Sequence, residues 1–180
     1  MSGFEPQTST RISLTAIGSG FAVMLSIAAL VVTIIEANTT RSAAKASVWP
    51  SVSVEVSYSS AGFSYETINR GVGPAKVRSI EITYDDAPYA DYVTLVEAVL
   101  GPEDAFGYDR IRATNPDRRV ISPGEEVNLF AVDWDPASRR LSEAFTDGLA
   151  IELCYCSIYD DCWKTRLGAT EPVPVRACEG

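Results

Sequence analysis

The chain contains no histidine. That absence removes the commonest protein metal ligand, the usual axial ligand of haem, and the usual base for a serine or cysteine nucleophile. Lysine is scarce too: Lys45, Lys76 and Lys164 are the only ones, which leaves little with which to build a serine–lysine dyad. There is no GxSxG motif, and no SxxK accompanied by its partner motifs. Paired CxxC knuckles, EF-hand spacing, internal repeats and low-complexity tracts are also missing. These absences argue against an enzyme, a metal and an organic cofactor. Positive charge is in deficit as well. The net charge is −9, and it arises after residue 35, because Glu5 and Arg11 cancel before it. A body so acidic is expected to repel nucleic acid and anionic lipid headgroups alike.

One stretch lacks charge altogether. Leu14 to Ile35 runs for 22 residues without a charged residue or a proline. As a helix it would measure roughly 33 Å, enough to cross a hydrocarbon core of about 30 Å. A cleaved signal peptide would be shorter in its apolar part and more basic before it, so an uncleaved anchor is expected. The chain then divides into a cytoplasmic tail (1–11), a transmembrane helix (12–36), a linker (37–48) and a body (49–180). Residues 37–47 are small and polar, and can carry the helix out of the bilayer before becoming a tether. Small residues recur at four-residue spacing, Ala16 with Gly20 and Gly18 with Ala22. Such a face lets helices approach closely in lipid.

The flanking charges, Arg11 on one side against Arg41 and Lys45 on the other, do not orient the helix. The cysteines do. Cys154, Cys156, Cys162 and Cys178 all lie in the last 27 residues, a pattern that suits an oxidising compartment. The amino terminus is therefore expected in the cytoplasm. The body is expected outside the inner membrane, in the periplasm of a bacterial source.

Within the body, Val52, Val54, Val56 and Tyr58 alternate with polar residues, and Phe63, Tyr65 and Thr67 repeat the pattern. Asn69-Arg70-Gly71-Val72-Gly73-Pro74-Ala75 predicts a turn or bulge with unusual backbone angles. Lys76–Tyr84 predicts a strand with Val77 on one face and Ile80, Ile82 and Tyr84 on the other. Tyr92, Leu95, Val96, Val99 and Leu100 form a helical stripe, with Asp91 as its cap and Gly101-Pro102 as its stop. Further strands are expected at Glu126–Trp134, Leu149–Ile158, Cys162–Leu167 and Val173–Cys178, with short ones at 105–113 and 119–122. Ser138 is expected to cap a helix carrying Leu141, Ala144 and Phe145. Seven or eight short strands with two inserted helices predict a mainly β fold, an immunoglobulin-like antiparallel sandwich behind one N-terminal transmembrane helix.

The anchor, WPSVSVEV, NRGVGPAKV, SPGEEV and CYCSIYDDCW together resemble a group of bacterial single-pass, membrane-anchored proteins of uncharacterised function. NxGxGPA resembles a strand–turn–strand of immunoglobulin-like adhesion or accessory domains. The resemblance implies fold and location only.

Cys156 and Cys162 face each other across a predicted hairpin, which makes a bridge easy; Cys154 would then pair with Cys178. Four cysteines allow three pairings, and a four-thiolate metal site or free redox thiols are the competing readings. Asp85-Asp86, Asp133-x-Asp135 and Asp160-Asp161 sit at strand ends, where aspartate serves turns; weak calcium sites are the alternative. Most aromatic residues fall at inward strand positions. Trp134 and Trp163, near strand ends, are candidates for a partner surface.

The expectation is a non-enzymatic accessory or stabilising subunit of a larger membrane assembly, contacting other membrane subunits and the bilayer. No nucleic acid and no small-molecule substrate is indicated. An envelope sensor or ligand-binding module is the alternative.

Overall fold

The computed structural model describes residues 14–178, with side chains from residue 18. The expected tail at 1–11, the side chain of Ala16 and the last two residues lie outside the described part. The chain divides into two compact units between Ala44 and Lys45.

The first unit is one helix, α1 (Leu14–Ala46), whose last two residues belong to the second unit. At 33 residues it is about 50 Å long, so the small polar residues 37–46 continue the helix. Its segment from Gly18 is long and apolar enough to cross a membrane, and none of the hydrophobic window is buried within the chain. Leu25, Ile27, Leu30, Val31, Val32, Ile34 and Ile35 are all exposed. The polar side chains among them are satisfied locally. Ser26, Thr33 and Thr39 each donate to the carbonyl four residues back, at 2.8, 2.8 and 2.9 Å.

The second unit is mainly β. Its elements are β1 (Val52–Tyr58), β2 (Gly62–Asn69), β3 (Ala75–Tyr84), β4 (Ala87–Tyr89), α2 (Tyr92–Leu100), β5 (Arg112–Ala113), β6 (Val120–Ile121), β7 (Glu126–Asp133), α3 (Pro136–Gly148), β8 (Leu149–Cys156), β9 (Cys162–Arg166) and β10 (Val173–Val175). They form two sheets, ordered β1-β2-β7-β5 and β10-β9-β8-β3-β4, with β6 also on β3. All strand pairings are antiparallel. An isolated parallel bridge, Val54 to Leu167, stitches the first sheet to the second.

One core is shared by both sheets and by α2 and α3. Phe130 sits at its centre, with ring centroids of Tyr92, Phe63, Phe145 and Tyr65 at 5.2, 5.7, 6.0 and 6.4 Å. Tyr155 of β8 is fully buried, and its hydroxyl accepts from Val52 N–H of β1 at 3.1 Å. A buried polar atom thus links the two sheets inside an apolar core.

Several local expectations hold for their stated reasons. The Asp91 carboxylate accepts from Val93 N and Thr94 N at 2.9 Å, and Gly101, at φ 79°, ends α2. Asp85 and Asp86 both have positive φ, 48° and 64°, between paired Tyr84 and Ala87. That is the backbone of a two-residue hairpin turn, and aspartate tolerates it.

Three expectations are corrected. First, Ser138 does not cap α3. Asp135 does, Pro136 occupies the first turn, and Asp135 and Ser138 exchange side chain-to-backbone bonds at 2.7 and 2.8 Å. Proline lacks the N–H that a first-turn position leaves unpaired anyway, so the helix starts there. Second, β3 does not alternate cleanly. A bulge at Arg78 shifts its register against β8, so that Val77 and Ile82 are both buried. The extra residue changes parity and turns Arg78 outward.

The third correction concerns Asn69–Ala75. Neither Gly71 nor Gly73 has positive φ. They are glycines because another stretch of backbone lies against them. A Cβ on Gly73 would stand 1.8 Å from the Val48 carbonyl oxygen, and one on Gly71 would stand 2.4 Å from Ser51 N. Asn69, fully buried, fixes this crossing. Its Oδ1 accepts from Gly71 N at 3.0 Å and Ser51 N at 3.2 Å; its Nδ2 donates to the carbonyls of Gly73 at 2.8 Å and Ile121 at 3.0 Å. The Trp49 carbonyl accepts from Val72 N and Gly73 N at 3.0 and 3.2 Å. The start of the second unit is therefore seated in the sheet, and Trp49-Pro50 belongs to the body.

Candidate functional site

Three places in the described chain gather residues that could act. The first is the small-residue face of α1. Gly18, Gly20 and Ala22 are exposed, and a Cβ added to either glycine would meet nothing within 4 Å. Each glycine in a helix interior costs about 1 kcal/mol relative to alanine. Among the described residues nothing packs against either glycine to offset that, whereas close approach of a second helix would.

The second is the carboxyl end of the body, where all four cysteines are bridged. Cys156 pairs with Cys162 across the β8–β9 hairpin, in register, and Cys154 pairs with Cys178 over a separation of 24 residues. Cys154 and Cys156 are two apart on β8, and so share one face; Leu153 and Tyr155 point to the core. The bridges thus fasten the last segment over the outer face of the second sheet. The Sγ atoms of Cys156 and Cys178 are 3.8 Å apart, and with Cys162 they form a tight sulfur cluster. With every sulfur in a bridge, none is available as a thiolate ligand.

The third was not visible in the sequence. Beside the sulfur cluster opens a groove of about 700 Å³. Lys76 and Arg78 of β3, Arg118 and Arg119 of the β5–β6 loop, and Arg176 of the carboxyl segment line it, with Asp160 of the β8–β9 turn. Five of the chain's 15 basic residues converge there although they are spread over 100 positions of sequence. Asp160 accepts from Lys76 at 2.6 Å and lies 3.6 Å from Arg78; the Lys76 ammonium holds its carboxyl below the usual carboxylate range. Arg119 pairs with Glu125 at 2.7 Å. Arg118 lies 3.7 Å from Asp117 and is almost wholly exposed.

Of the other candidates, Trp134, Asp133 and Asp135 come together and the rest do not. Trp134 is half-buried, with its indole N–H donating to the Ser59 carbonyl at 2.7 Å, its ring stacked near Tyr58 and Arg139 above it at 5.1 Å. Trp163 is half-buried against Tyr155. Each is packed against the body's own rings, and they lie on different sheets. Of the aspartates, Asp133 pairs with Arg112 at 2.9 Å, Asp135 caps α3, and Asp161 pairs with Lys45 at 2.7 Å. Asp133 and Asp135, with Arg112 and Arg110, line one cavity of about 400 Å³ together with Trp134, whereas Asp161 is not part of its lining. Glu152 is held by Lys164 at 2.6 Å and Arg166 at 2.5 Å, and the lysine beside it keeps its carboxyl low.

No family model, curated protein or solved structure matches this chain.

Proposed function

We propose that the protein is a non-enzymatic, single-pass membrane subunit that joins a larger assembly through α1 and an exported body. The observation that carries this reading is α1 itself. It is an apolar helix whose described hydrophobic window is not buried in its own chain, with exposed glycines that meet no other described residue. Lipid solvates the apolar side chains, and a neighbouring helix uses the glycines. Two disulfides in the body support an oxidising compartment, hence the periplasmic side of an inner membrane.

We further read the body as a variant of the immunoglobulin sandwich. The support is strand order. Relabelled A to G, β1-β2-β7-β5 follows A-B-E-D and β9-β8-β3 follows G-F-C, with β4 beside C. It departs from the antibody pattern in its bridges, which run from the F-equivalent strand to its neighbour and to the tail. The likeness to bacterial membrane-anchored proteins is part of the same reading.

Purification from mild detergent tests the assignment. The wild-type chain is expected in a stoichiometric multi-subunit species. Gly18→Leu/Gly20→Leu is expected to stay in the membrane and to lose those partners at least about tenfold, since bulky side chains prevent close helix approach. A monodisperse single chain, or partners unaffected by the substitutions, would contradict it.

The alternative, a ligand-binding module, has one feature of its own. The buried Tyr92 hydroxyl lacks a hydrogen-bond partner and lines a cavity of about 230 Å³ with Ile80, Ile82 and Tyr108.

A further inference from the structure

The basic groove is an island of one sign in a chain of the other. Its lining carries five cations, Lys76, Arg78, Arg118, Arg119 and Arg176, against one anion, Asp160. Five minus one leaves +4 on the lining, and counting Asp117 and Glu125 against Arg118 and Arg119 still leaves +2. The whole chain carries −9. Distant carboxylates do little to cancel this local field, because the Debye length at physiological salt is about 8 Å.

The groove has the build of an anion site. The bridged Cys156, Cys162 and Cys178 give it an apolar floor on the outer face of β8, and five cations line it. Four of the five cations are arginines, whose planar forks match phosphate oxygens in pairs. Arg176 makes no ion pair among the described residues, and Arg118 has only the long contact to Asp117. Two arginines are thus available to an incoming anion without breaking a short internal pair.

Position in the chain selects among anions. Asp160, in the groove wall, is next to Asp161, which holds Lys45. Ile35, the last residue of the apolar run, is ten residues before Lys45, and a helical stretch of that length covers about 15 Å. Chain connectivity alone keeps the body at a membrane surface when α1 is anchored, where a weak site is filled by effective concentration.

We propose that this groove binds the phosphate of an anionic phospholipid headgroup. The proposal rests on α1 being a membrane anchor. The headgroup phosphate lies among Arg118, Arg176 and Arg78, and the acyl side rests toward the apolar floor.

The test uses the full chain in a neutral detergent, titrated calorimetrically with dihexanoyl phosphatidylglycerol, with dihexanoyl phosphatidylcholine and with inorganic phosphate. The expected result is saturable binding of the glycerol lipid, and binding of the choline lipid and of phosphate weaker by at least about tenfold. Arg118→Gln/Arg176→Gln is expected to weaken the glycerol lipid at least about tenfold, with the thermal midpoint unchanged. Arg139→Gln/Arg140→Gln, on α3 and outside the groove, is expected to bind as wild type. Phosphate binding as tightly as the glycerol lipid would overturn the lipid assignment and make this a site for free phosphate. Equal binding by the groove variant, or displacement of the lipid by a poly-glutamate peptide at matched charge, would overturn the site. Because every arm is read in detergent, failure here leaves the subunit reading standing; failure of that reading appears instead in the co-purification.

Discussion

Asn69→Ala is expected to lower the stability of the body by on the order of 4 kcal/mol, a shift of the thermal midpoint of roughly 15 °C. The side chain makes four hydrogen bonds, to Ser51 N, Gly71 N, and the carbonyls of Gly73 and Ile121. Alanine removes all four, and leaves two amides and two carbonyls in or near the core without partners. Each such group costs about 1–3 kcal/mol, against a net value near 1 kcal/mol for an ordinary hydrogen bond. The four groups belong to three separated segments, so the crossing of Val48–Ser51 over Gly71–Gly73 loosens as a unit. Asn69→Asp keeps the two acceptor contacts but sets a carboxylate against two carbonyls, and is expected to recover little of the loss at neutral pH. Asn115→Ala, which removes one exposed contact to Asp117 N, is expected to stay within about 0.5 kcal/mol. Thermal unfolding of the full chain, followed by near-ultraviolet circular dichroism, separates the three. A loss below about 1 kcal/mol for Asn69→Ala would show that the crossing is held by something else.

The second large effect belongs to the disulfides. Cys154–Cys178 spans a sequence separation of 24, and Cys156–Cys162 one of 6. In the chain-entropy description, the longer closure restricts the unfolded chain by about 3.5 kcal/mol and the shorter by about 2 kcal/mol. Cys154→Ser/Cys178→Ser is therefore expected to destabilise the body more than Cys156→Ser/Cys162→Ser. It should also have a local signature. β10 is three residues long and pairs only with β9, and without the bridge nothing covalent holds it. Amide exchange at Val173 and Val175 should rise in the first variant by a larger factor than at β8. If the hairpin variant proved the more damaging, a local role for Cys156–Cys162 would outweigh loop closure.

What could be read from the sequence, and what could not, follows from how far each signal travels along the chain. α1 was legible as a helix long and apolar enough to cross a membrane, because a run of 22 uncharged residues is a local signal. α2 was legible because its cap, stripe and stop all lie within twelve positions, 91–102. β2 was legible because it presents one face to the core, and alternation records that; in β1 the alternation holds for Val52 and Val54, while Val56 and Tyr58 are exposed. β3 was misread at one residue. The bulge at Arg78 leaves no mark on composition, yet it reverses parity after it. The glycines of the NRGVGPA stretch were recognised as special for the wrong reason, since the backbone against them comes from residues 48–51. The α3 cap was misplaced by three residues because Ser138 is a good cap by type, while Asp135-Pro136 is a better start. The cysteine pairing could be narrowed, because Cys156 and Cys162 flank one hairpin.

The groove is the sharpest case. Net charge is an average, and an average of −9 excluded anionic lipid as a contact of the body. Folding gathers residues 76, 78, 118, 119 and 176 along one depression. No window of the sequence contains that juxtaposition, because β3, the β5–β6 loop and the carboxyl segment meet only through the second sheet. The argument from total charge therefore does not apply at the groove.

The central claim is that α1 is fixed in lipid and carries a disulfide-stapled body on the oxidising side. Protease digestion of intact spheroplasts, combined with alkylation of the denatured but unreduced chain, tests both parts at once. The account predicts that external protease removes the body while leaving a membrane-protected fragment containing Gly18–Ile35, and that alkylation finds no free thiol. A body protected from external protease, with four alkylated cysteines, would contradict it.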